Sequence, residues 1–219
     1  MKLLFLALAC VASLNAYADV NTDGAPIPKM RFADRELGFA DSVPTQFLDV
    51  RPGKISGFTK YQNELEKMKA AFAIIERVVN SDEFKEKVIN FVGKNGQRSY
   101  IRNNGLTNEQ VYEAIMAGKE LIGGAQTPGE MNFDVTRYMK FWSKVIGYTE
   151  PGKSNTMYVH GKFYKKFSPV EISSNVTHEW LHLCGFYHGS AADHDSVPYA
   201  VGYIMRDLAK KLETQGFLN

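Results

Sequence analysis

Apolar side chains recur along this chain with two periods, and the change from one to the other marks its organisation. Tyr61, Leu65, Met68, Phe72, Ile75 and Val79 step by four and three, which places them on one face of an amphipathic helix. A second helix is predicted from Asn80, with Glu83 completing a capping box, Phe84, Val88 and Phe91 facing inward and Gly93 ending it. Thr107 with Gln110 caps a third, whose inward positions are Val111, Ile115 and Leu121 and whose stop is Gly123-Gly124. From about Asn132 β-branched and aromatic residues take over in Phe133–Thr136, Val145–Thr149 and Thr156–His160, with a turn at Glu150-Pro151-Gly152-Lys153. These predict a small sheet. Helical spacing then returns: Ser168-Pro169-Val170-Glu171 combines a Ser N-cap, Pro at the first helical position and Glu at the third. Ile172, Val176, Trp180 and Leu183 form the buried stripe of that helix, and Gly185 ends it. Leu208 and Leu212 give a closing helix its inward edge, with Gly216 as its stop. The fold class this predicts is α+β.

The first residues break the pattern. Lys2 precedes an apolar stretch too short to span a bilayer, and Ala16-Tyr17-Ala18 follows as a small-x-small cleavage site, so residues 1–18 read as a signal peptide of a secreted or periplasmic protein. Residues 19–58 hold Pro26, Pro28, Pro44 and Pro52 without sustained periodicity and read as an N-terminal strap or pro-segment. The remainder, 59–219, is expected to be one domain, a monomer without stable membrane insertion once the signal is removed. Lys and Arg (26) nearly balance Asp and Glu (24) and form no basic stripe, so nucleic acid is not an expected partner. Removing the signal removes Cys10 and leaves Cys184, expected to be a small packed residue at a helix end.

All five histidines fall between His160 and His194. Core formation does not require that clustering, and it is the first sign of a metal. His178 and His182 stand one helical turn apart, so both imidazoles can address one ion. Glu179 between them is displaced around the helix, better placed to reach a water than to bind the ion. Beyond the break at Gly185, His188 can return as a third ligand, with His194, Asp193 and Asp195 as weaker alternatives. Three histidines, one Glu and one Gly at these spacings arise on the order of once in 10⁵ shuffled chains. Three neutral histidines leave a position open, as catalytic rather than structural zinc sites do.

The string His178-Glu179-Trp180-Leu181-His182-Leu183-Cys184-Gly185-Phe186-Tyr187-His188 resembles the extended zinc motif of the metzincin endopeptidases, with the likeness specific over residues 168–188. That resemblance implies a metzincin-like zinc peptidase domain: a small mixed sheet packed with several helices, an active-site helix and a short C-terminal subdomain. It implies an exported endopeptidase that holds Zn2+ on His178, His182 and His188, uses Glu179 as general base and acts on a protein or peptide. It further implies a turn placing Met205 beneath the metal, and an edge strand at Thr156–His160 along which substrate lies. The chain departs from the family in having Asp207 two residues after Met205, where some members have an oxyanion-binding Tyr; Tyr199 and Tyr203 are the nearby tyrosines. It also lacks a latch cysteine before the first helix, a role left to Asp19, Asp23 or Asp34 if residues 19–58 are a pro-segment. A zinc amidase acting on cell-wall or other small amides, and a non-catalytic metal-binding protein, are the alternatives. Glu179 speaks against the last, since metal storage has no use for it.

Overall fold

The computed structural model describes residues 47–118, 120–121 and 128–216. The expected signal peptide, most of the strap with Asp19, Asp23 and Asp34, and Gly123-Gly124 lie outside them. The described chain is a mixed α+β fold. Strand β1 (Asp49–Ser56) is followed by helices α1 (Gln62–Val79), α2 (Asp82–Ile89) and α3 (Asn108–Ala117), then by β2 (Glu130–Tyr138), β3 (Gly147–Thr149) and β4 (Thr156–His160). A single turn α4 (Gly161–Tyr164), the long α5 (Pro169–Leu183) and α6 (Val197–Thr214) complete it. The sheet order is β1-β2-β4-β3; β1, β2 and β4 run parallel and β3 runs antiparallel to β4.

Alternation sets the sheet's inner face: Met131, Phe133 and Val135 of β2 and Met157 and Val159 of β4 are buried. Against it lies the α1 stripe of Leu65, Met68, Phe72 and Ile75, with the Phe72 and Phe133 rings edge-on at 5.4 Å. Arg137 at the end of β2 grips Glu64 of α1 through two hydrogen bonds of 2.8 and 3.3 Å, with both side chains nearly buried. Its guanidinium also covers the Tyr61 ring at 3.4 Å. Gly161 lies against that guanidinium, where a Cβ would collide with it. Among the described residues, no helix is long and apolar enough to cross a membrane.

Several expectations change. The end of the supposed strap is strand β1; with Pro52 and Gly53 interrupting its alternation and a register shift between Pro52 and Ile55, the period of two is lost from sequence. Pro52 is tolerated because β1 is an edge strand. Tyr61 is the exposed N-cap of α1 rather than part of its stripe. Ser81, not Asn80, caps α2, accepting from the Phe84 N–H, while the Asn80 side chain pairs with the Leu48 backbone. Helix α2 also ends at Ile89, before Gly93, and Phe91 stacks on Tyr100 from the segment that follows. The α3 capping box forms as read, but Gly118, left-handed at φ 61° and packed on the Glu130 backbone, stops the helix early and leaves Leu121 exposed.

Candidate metal centre

Helix α5 starts where its residues require. Ser168 accepts from the Glu171 N–H, the Glu171 carboxylate accepts from the Ser168 N–H, and Pro169 occupies the first turn. Its buried side chains include Ile172, Val176, Trp180 and Leu183. Cys184 is the C-cap, packed against the core. Gly185 then turns left-handed at φ 87°, with its N–H on the His182 carbonyl (3.0 Å) and the Phe186 N–H on the Leu181 carbonyl (3.0 Å), the paired bonds of a Schellman stop.

That stop assembles the site. It reverses the chain so that His188 returns to His178, their Nε2 atoms 3.2 Å apart. It also aims the Phe186 carbonyl at Nδ1 of His182, 2.7 Å away, so Nδ1 carries the proton and Nε2 keeps its lone pair. His178 bonds the Pro198 backbone, which offers only a carbonyl, so this ring too is a donor on one side and a free base on the other. One ligand nitrogen from each of His178, His182 and His188 lies within 4.8 Å of the other two. Nitrogens sharing a tetrahedral ion at 2.0–2.1 Å are separated by about 3.3 Å, close to the His178–His188 spacing. Burial, then the neighbouring rings, lowers His178 to about 3. His182 and His188 are also lowered, chiefly by burial. Neutral imidazoles are what metal ligation needs, and the three together could hold a metal ion.

Asp193 is occupied elsewhere, accepting from the Gly189 N–H (2.6 Å) and Arg102 (3.0 Å) to shape the loop behind His188. Asp195 accepts from the Lys94 N–H, and His194 pairs with the Tyr203 hydroxyl at 2.9 Å. None of these three joins the cluster. His160 is a buried structural residue at the β4–α4 junction, its Nδ1 accepting from the Lys162 N–H and its Nε2–H bonding the Lys140 carbonyl. Tyr199 is the tyrosine brought to the cluster, its ring 4.5 Å from those of both His178 and His188.

Glu179 is buried beside the triad. The Tyr164 hydroxyl donates to Asn175 Oδ1 at 2.7 Å, which leaves the Asn175 amide to donate to the Glu179 carboxylate. Strand β3 passes directly over this pair: a Cβ on Gly147 would stand 3.0 Å from Glu179 Oε1 and 3.1 Å from Asn175 Oδ1. Sequence reasoning missed Tyr164 and the role of Asn175. Asn175 sits one turn before Glu179, and that spacing was its only signal. Gly147 carried the weak signal of a glycine inside a strand, which often marks a close approach.

Two expectations about the surroundings are corrected. Thr156–His160 is not the sheet edge, because Val145–Thr149 folds back as β3 and pairs with it, taking the outer position. Met205 is buried but belongs to the middle of α6, not to a turn: Pro198 starts that helix early, and Val201, Met205, Leu208 and Leu212 form its inner stripe. The α6 residue lying beneath His178 is Gly202, where a Cβ would be 3.5 Å from the His178 Cβ.

No family model matches the chain, and no curated protein matches it. The functional case therefore rests on the triad and its neighbours.

Burial is the main cause that pushes the Glu179 carboxyl up to about 8, with the Asn175 bond opposing it. In chelator-treated protein the folded state thus holds a proton that the unfolded chain releases above the ordinary carboxylate range. The resulting stability is fully present below about 4.5 and is lost as pH rises through about 8. Glu179→Gln abolishes this titration. Without metal, the variant is expected to gain on the parent by about 1.4 kcal/mol per pH unit across that window. Thermal melts from pH 5 to 9 measure it, and parallel curves would refute the buried, protonated carboxyl.

Proposed function

We propose that this chain is an exported, zinc-dependent endopeptidase of metzincin type, with His178, His182 and His188 as the zinc ligands and Glu179 as the general base. The observation that carries the reading is the joint placement of three neutral imidazoles converging on one point and a buried carboxylate beside them that is not one of the set. Zinc bound there would supply Lewis acidity, acidifying water and polarising a carbonyl.

The protein's own groups have separate tasks. Asn175, anchored by Tyr164, orients Glu179, which accepts a proton from the attacking water and returns it to the departing amide nitrogen. Burial raises the proton affinity of this carboxyl in the metal-free protein, a zinc ion beside it would favour the ionised form that takes the proton, and β3 lies directly against it. The edge position of β3 favours an extended peptide as substrate, since its outer backbone groups can pair with a peptide as an added strand. Tyr199 stands against two of the imidazoles and limits their rotation.

Digestion of a mixed peptide library by the zinc-loaded protein, with products read by mass spectrometry, tests the proposal. Internal cleavage that stops on chelation is expected; an intact library with zinc bound would overturn it. Gly147→Ala probes the strand's role, because the new methyl forces Glu179 and Asn175 to shift by a few tenths of an ångström. Turnover should fall roughly ten- to a hundredfold with zinc content unchanged, as small misplacements of catalytic groups do. Unaltered kcat would show that Glu179 is not held in place by β3.

A further inference from the structure

The connection from β2 to β3, residues 139–146, turns five large apolar side chains to solvent: Met139 is 57% exposed, Phe141 76%, Trp142 88%, Val145 50% and Ile146 36%. Isolated exposed apolar residues are ordinary, but a contiguous group of this size marks an interaction site. The loop is built rather than loose. The Tyr138 hydroxyl donates to the Val145 carbonyl (3.3 Å), the buried His160 donates to the Lys140 carbonyl (2.9 Å), and Phe141 and Trp142 stack edge-on with ring centroids 4.9 Å apart.

Its charge has one sign. No Asp or Glu occurs in residues 138–149 or 156–170, which instead carry Lys140, Lys144, Lys162, Lys165 and Lys166, all exposed; the turn between the two segments adds one charge of each sign, exposed Glu150 and Lys153. His160 joins the two segments, fixing the loop's base through Lys140 and meeting the Lys162 N–H on its other ring nitrogen. Phe141 and Trp142, the most exposed of the five, project outward from the loop.

We propose that this loop docks the protein reversibly on an anionic lipid bilayer. Phe141 and Trp142 enter the headgroup region, where amphipathic aromatic rings are favoured, and the lysines hold the acidic headgroups. A projecting aromatic tip with Lys140 and Lys144 beside it in the loop fits an extended surface of negative charge better than a folded protein of mixed charge. Because the loop leads directly into β3, whose Gly147 touches Glu179, docking would present the triad to proteins held at that surface. Only this last consequence rests on the peptidase reading.

The chain has two tryptophans, and Trp180 is buried, so Trp142 reports the contact by itself. Protein lacking residues 1–18, whose apolar stretch would itself bind lipid, is mixed with vesicles of phosphatidylglycerol and phosphatidylcholine or of phosphatidylcholine alone. Expected are co-sedimentation with the anionic vesicles, reduced by salt, and a shift of tryptophan emission to shorter wavelength. Phe141→Ala/Trp142→Ala should weaken partitioning by about tenfold to a hundredfold while leaving the circular dichroism and zinc content unchanged. Absence of sedimentation would overturn the proposal. So would binding that survives the double substitution, or an emission shift produced by a soluble protein partner but not by vesicles. Glu179→Gln should bind vesicles as the parent does, which separates this outcome from that of the peptide digestion.

Discussion

Glu179→Gln is expected to retain zinc and to lose about 10²- to 10⁴-fold in kcat on any peptide the parent cleaves, the usual range for removal of a general base. The substitution preserves shape: the amide oxygen can still accept from Asn175, and the contact beneath Gly147 is unchanged. Only the capacity to take up a proton is removed. A loss confined to kcat with metal content constant assigns Glu179 to proton transfer. Loss of metal as well would make it a ligand, and undiminished turnover would sink the mechanism.

His182→Ala is expected to abolish zinc binding and to lower the melting temperature by on the order of 10 °C. It removes one ligand of three together with the bond from Nδ1 to the Phe186 carbonyl. A ligand at a hundred times its Kd stabilises a fold by about 2.7 kcal/mol, and a hydrogen bond adds about 1 kcal/mol. For a domain of this size each kcal/mol moves Tm by about 2–4 °C. Chelator should reproduce most of the loss in the parent and cause none in the variant. His194→Ala is the control: its ring pairs with Tyr203 outside the cluster, so zinc should stay bound. Zinc retained in His182→Ala and lost in His194→Ala would reassign the ligand set.

The part of this molecule written most clearly in the sequence is α5 and the string that leaves it. There, cap, stripe and stop obey local rules of three and four residues and reappear in space, and His178, His182 and His188 come within metal-binding distance of one another. Errors gather where the deciding partner is distant. Asn80 looked like an N-cap, but its side chain serves Leu48, 32 residues away, so Ser81 caps α2. The stop of α3 at Gly118 depends on the close approach of Glu130, which spacing along the chain does not encode, so the Gly123-Gly124 pair reads as the stop. Which strand forms an edge depends on pairing, not composition, so the short β3 displaced β4 from the edge. The Met205 reading rested on sequence separation alone, and Pro198 carried helical structure through that position.

The turn at Gly185 and Phe186 serves two ends, closing helix α5 and gathering the three imidazoles. Until Gly185 adopts its left-handed conformation, the Phe186 carbonyl cannot fix the His182 tautomer and His188 cannot come back to His178. Without that turn, the helix would present only His178 and His182 of the three imidazoles to an ion. If the proposed metal binds, its full ligand set would form only once the last turn closes, so completion of α5 would gate metal loading.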